Sequence, residues 1–125
     1  MLLPVLHRTI ALFALLALLA GCSSGPTLEG KWKFEKATKD GEQVSAPPAV
    51  QEMVLEFLPG GELNLRSGKE RDTGTWQQPA ENELVIKMEE AGSEEPARIV
   101  ELTEDRLTLE PEDAGGRQLT YKRVE

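Results

Sequence analysis

From residue 28 onward the chain switches between apolar and polar at every second position, and this alternation restricts its fold more than any other feature. Trp32 and Phe34 alternate with Lys31, Lys33 and Glu35; Met53, Leu55 and Phe57 with Val54 and Glu56; Leu84, Ile86 and Met88 with Val85 and Lys87. Shorter runs follow the same rhythm: Leu63 and Leu65, Thr73–Trp76, Ile99–Leu102, Leu107 and Leu109, Leu119 and Tyr121. A two-residue period places successive side chains on opposite faces of a strand. The gaps are turn chemistry, such as Pro59-Gly60-Gly61, Ser67-Gly68-Lys69, Ala91-Gly92-Ser93 and Ala114-Gly115-Gly116. These segments predict eight short antiparallel strands. Closing them into an up-and-down barrel removes the exposed edges a flat sheet would present. The one long connection, Lys39–Val50, is stiffened by Pro47-Pro48, and no helix longer than a turn or two is expected.

The first 22 residues read differently. His7 and Arg8 precede an uncharged apolar run from Ile10 to Ala20. That run is shorter than the roughly 20 residues a membrane-spanning helix needs. A basic residue, a short apolar stretch and then small residues are the pattern of a cleavable secretory signal. The run ends in Leu19-Ala20-Gly21-Cys22, which resembles the lipobox of bacterial lipoproteins at all four positions. The resemblance implies removal of residues 1–21 and lipidation of Cys22, whose thiol is the nucleophile. It also implies a membrane anchor, and Ser23 after the cysteine points to the outer membrane, facing the periplasm. The expected organisation is therefore a signal peptide at 1–21, the lipidated Cys22 with a short linker at 22–28, and one domain at 29–125. From Ser23 to Leu28 the linker spans at most about 20 Å, so the domain works close to the bilayer.

The chemistry available to the mature chain is narrow. Its only histidine, His7, lies in the signal, and its only cysteine is taken up by lipid. Ser–His and Cys–His nucleophile pairs, histidine acid–base work and the usual zinc sites are thereby excluded. No glycine-rich phosphate loop precedes a helix. Carboxylates remain, grouped at Glu89–Glu95 and Glu110–Asp113, but neither group has the ligand order of a calcium loop. All 22 acidic residues lie in the mature part, against 13 Lys and Arg, a net charge of −9. Nucleic acid is a poor partner for such a surface. Neither a metal nor a cofactor is expected, and no enzyme activity.

Gly30-Lys31-Trp32 on the first strand, the long first loop, a second Gly-x-Trp at Gly74-Thr75-Trp76, and a closing Tyr121-x-Arg123 together resemble the small bacterial lipocalin-like domains. The resemblance spans about residues 28–125. It implies an all-β, eight-stranded barrel in which a late basic residue packs over the first-strand tryptophan. Lys122 or Arg123 could do this, and Arg123 shares the parity of Leu119 and Tyr121, so Gly30, Trp32 and Arg123 are the candidates for closing the barrel. An eight-stranded interior is just wide enough to be filled or to hold one small ligand. The leading expectation is a membrane-anchored protein that binds a small apolar or amphipathic ligand through Trp32, Phe57, Trp76 and Tyr121, with 39–50 as lid. The rival is a solid-cored module whose acidic hairpins dock on or inhibit a cell-envelope protein.

Overall fold

A computed structural model of the chain describes residues 26–124. The signal, Cys22 and most of the linker lie outside the described residues. Nine strands run in chain order: β1 (Gly30–Lys39), β2 (Glu42–Val44), β3 (Met53–Leu58), β4 (Glu62–Ser67), β5 (Glu70–Gln77), β6 (Glu83–Met88), β7 (Glu94–Leu102), β8 (Arg106–Pro111) and β9 (Arg117–Arg123), with a single-turn helix α1 (Pro48–Gln51) before β3. Every pairing is antiparallel. Eight strands follow one another around the wall, and β1 pairs with both β3 and β9, closing the barrel.

The eight segments expected from the alternation are the eight strands of the wall. The ninth, β2, was not anticipated. It grows out of the 39–50 segment, where a two-residue turn at Asp40-Gly41 folds it back on the end of β1. Both turn residues have positive φ, 54° and 82°, as a type I′ hairpin demands, and Gly accepts that geometry without strain. The segment is therefore a hairpin followed by α1. The Ser67 hydroxyl donates to the Ala49 carbonyl and ties it to the end of β4.

Two bulges bend the wall, one between Phe34 and Lys36 on β1 and one between Ile99 and Glu101 on β7. Each adds an unpaired residue and sharpens the local twist, which helps a sheet close on itself. Inward-facing residues form one core that includes Trp32, Leu55, Phe57, Leu63, Leu84, Leu107 and Tyr121. Leu28, which the sequence placed at the end of the linker, is buried in that core. Thr108 and Thr120, which alternate with the inward Leu107, Leu109, Leu119 and Tyr121, sit opposite each other and are both buried, their hydroxyls 3.1 Å apart. Nearby, hydrogen bonds from Gln118 and Arg98 hold the Glu110 carboxyl below its usual pKa.

Candidate functional site

The two ends of the barrel differ. Where β1 begins and β9 finishes, the interior is solid. Trp32 is completely buried, and its indole N–H donates to the Leu28 carbonyl at 2.8 Å. The Arg123 guanidinium lies 4.2 Å from the centre of the Trp32 ring. The same guanidinium donates to the carbonyls of Thr27, Glu29 and Glu104. One side chain thus stacks on the indole, holds the incoming N-terminal segment and ties down the β7–β8 turn. A cation over an indole face contributes roughly 0.5–2 kcal/mol. Gly30 opens β1 with φ of 133°, a conformation that L side chains rarely adopt. Beside this plug Phe57 meets Trp76 edge to face at 5.5 Å, and the Trp76 indole N–H donates to the Leu58 carbonyl.

Toward the other end the interior opens. A cavity of about 250 Å³ is lined by Met53, Leu55, Leu65, Ile86, Met88, Leu109, Leu119 and Tyr121, among others, with Glu95, Pro96, Pro111 and Asp113 bordering it. The aromatic rings of the plug give way here to Met and Leu, which do not fill the same width. Tyr121 forms one wall, held edge to face against Phe34 at 5.9 Å. Among the described residues its hydroxyl donates only to the Met53 sulfur, at 3.7 Å. Burial pushes the Tyr121 phenol well above its ordinary pKa of 10.0, because the phenolate would lose its hydration. At neutral pH this hydroxyl is a neutral donor facing an apolar space.

The model of the lipocalin-like domain family matches residues 28–109, well over half of the chain. The chain belongs to the lipocalin-like domain family. No curated protein matches its sequence. Proteins of this family are generally binding proteins.

In this lipocalin-like domain the four aromatic residues picked out for ligand contact separate into two groups. Tyr121 lines the cavity. Trp32, Phe57 and Trp76 do not, because their bulk fills the closed half, and the indole N–H groups of Trp32 and Trp76 are taken by backbone carbonyls. Gly30, Trp32 and Arg123 come together at the closed end. Lys122, the other basic residue considered for that position, points outward and is exposed. The lining residues Met53, Leu65, Ile86, Met88 and Leu119 were missed as site residues. Their only signal was inward parity near the upper strand ends, which core residues share. The 39–50 segment does not line the cavity. It borders a separate polar recess beside β1, with Phe34, Lys36 and Gln51. Among the described residues no group of His, Cys, Asp and Glu side chains is placed to hold a metal ion.

Proposed function

We propose that the chain is a non-enzymatic lipoprotein, anchored through lipid on Cys22 to the cell envelope, most consistent with the outer membrane facing the periplasm, and that its barrel holds a small apolar or amphipathic molecule. The observation that carries this reading is the apolar cavity in the open half of the barrel, above a solid plug. Tyr121, Met53, Leu65 and Leu119 are the contacts, and the Tyr121 hydroxyl is the one neutral polar handle. At about 250 Å³ the space falls just below the usual range for small-molecule sites, roughly 300–1,000 Å³. It suits a compact molecule or the end of a single acyl chain rather than a bulky cofactor.

Native mass spectrometry of the protein purified from its host tests the anchor and the ligand together. The expected result is a chain beginning at Cys22, carrying acyl mass and a small additional mass that organic extraction removes. The extracted protein should then take up an apolar naphthylamine dye, and Leu119→Trp, which fills the cavity, should abolish uptake. A protein with no extractable mass and no dye uptake would sink the ligand reading.

A second reading has one observation in its favour. The acidic hairpins, Glu89–Glu95 and Glu110–Asp113, both lie at the open end, where Glu95 and Asp113 border the mouth. An envelope protein docked on them would cover the cavity. Charge reversal in these hairpins should then abolish co-purification with that partner while leaving dye uptake intact.

A further inference from the structure

On the outer wall the strand register assembles a row of cations that are scattered in the sequence. Lys122 of β9 stands opposite Lys33 of β1, Lys33 opposite Val54 of β3, Val54 opposite Arg66 of β4, and Arg66 opposite Arg71 of β5. Arg106 of β8, opposite Lys122, extends the row by one strand. All of these cations are exposed, and Val54 is half-buried among them. Like charges directly opposite one another weaken a sheet, and here Lys33 meets Lys122, Lys122 meets Arg106, and Arg66 meets Arg71. Among the described residues only Arg106 of this row has a carboxylate within 4.0 Å, that of Glu35. Other acids stand beside the row without pairing with it: Glu56 faces Lys31 one step down the wall, and Glu52 borders the same recess as Lys33, Arg66 and Arg71, where it approaches Gly68. A chain of net charge −8 has acids to spare for neutralising such a row. Leaving four of its five cations without an ion pair among the described residues points to an anion supplied from outside.

We propose that this wall, centred on Val54, is where the barrel lies against the anionic headgroups of a phospholipid bilayer. The inference rests on the anchored reading given above. Cys22 stands six residues before Leu28, and Leu28 stands three before Lys31. A tether of at most about 20 Å therefore keeps the wall within reach of the bilayer. Charge complementarity supplies the orientation. The long side chains of Lys122, Lys33 and Arg66, on neighbouring strands around Val54, can extend to a common plane while their stems cover the wall, and Val54 faces the same plane; Arg106 and Arg71 stand on the flanks, where the closed barrel curves away. Lys122, Lys33 and Arg66 are spread across one face rather than gathered around one point, which matches a continuous sheet of negative charge better than a single bound anion. Each Lys or Arg near such a surface raises partitioning about fivefold. The attraction fades beyond a Debye length of about 8–10 Å, so it weakens as salt rises.

The test is lysine footprinting of the mature lipidated protein by an amine-acylating reagent, on vesicles of phosphatidylcholine alone and on vesicles that also contain phosphatidylglycerol. At low salt, labelling of Lys33 and Lys122 is expected to slow by about fivefold or more on the anionic vesicles only. Lys87, on β6 away from this wall, is the internal control and keeps its rate. Arg66→Glu should abolish the protection while raising the melting temperature, because it gives Arg71 an opposite charge across the ladder; loss of protection is then not loss of fold. Equal labelling on both vesicles, or equal protection of Lys87, overturns the proposal. Protection by polyglutamate but not by anionic vesicles assigns the wall to an acidic protein and also overturns it. Flotation with phosphatidylcholine vesicles reports the anchor alone. A protein that fails to float there lacks the anchor, whereas the footprint on excess anionic vesicles reads the wall separately.

Discussion

Gly74 occupies a position no larger residue can share. A Cβ built there would lie 2.3 Å from the Lys87 carbonyl oxygen and 2.9 Å from the Met88 Cα, so backbone rather than a flexible side chain is in the way. β5 and β6 would have to part where Gly74 pairs with Met88. Gly74→Ala should cost on the order of 1–3 kcal/mol or more, as overpacking does, and urea unfolding followed by tryptophan fluorescence measures it. Gly74-Thr75-Trp76 stood out in the sequence as a motif, but the reason for its glycine is visible only once β6 is seen against it. Arg123 offers the converse case. Its strand parity with Leu119 and Tyr121 was enough to aim it inward, and the structure adds its three backbone carbonyls. A lysine keeps the charge but loses the planar stack and the fork of donors. Arg123→Lys should therefore destabilise by about 1–3 kcal/mol and shift the emission of Trp32, and a melting curve with emission spectra checks both.

Among the elements, the segment from Lys39 to Val50 carries the clearest local prediction. It is fastened to the wall by the Ser67 hydroxyl on the Ala49 carbonyl, and α1 buries no residue of its own. Ser67→Ala should cost about 1 kcal/mol locally. Amide exchange over residues 45–52 should quicken, while the core strands keep their protection, and exchange mass spectrometry distinguishes the two. The same segment shows where legibility ended. The eight wall strands were readable because each pairs alternation with Gly or Pro at its turns. Glu42-Gln43-Val44 has no such alternation, so β2 was hidden although Asp40-Gly41 is a strong hairpin signal. The start of β7 at Glu94-Glu95-Pro96 was hidden likewise, since these exposed residues are two carboxylates and a proline, none of them a strand former. The site was harder still. Parity says which residues point inward but not at what height, and height separates the Trp32, Phe57 and Trp76 plug from the Met53, Leu65 and Leu119 cavity.

At the scale of the whole molecule the barrel is solid at one end and hollow at the other, and Tyr121 stands at the junction. Its phenol is both a cavity wall and the clearest titrating contribution to global stability. Burial raises its pKa above the ordinary value of 10.0, so the neutral form belongs to the folded state. Below pH 10 the phenol is protonated in folded and unfolded chains alike, and its contribution is fully present. Above pH 10 the unfolded chain releases this proton while the folded chain retains it, which draws the equilibrium toward unfolding. Stability should therefore fall as pH rises past about 10, and the fall should continue until the buried phenol itself ionises. Tyr121→Phe removes the titrating group but keeps the ring against Phe34. A thioether is a weak acceptor, so at pH 7 the substitution should cost less than about 1 kcal/mol. Between pH 9 and 11.5 the variant should lose less stability than the parent, measured by urea unfolding at each pH. A ligand whose polar end meets the Tyr121 hydroxyl would deepen the difference: bound to the folded state alone, it protects in proportion to its concentration, and that protection should shrink in Tyr121→Phe. Parallel pH profiles for the two proteins would mean that the phenol is less enclosed than its place beside Met53 and Phe34 requires.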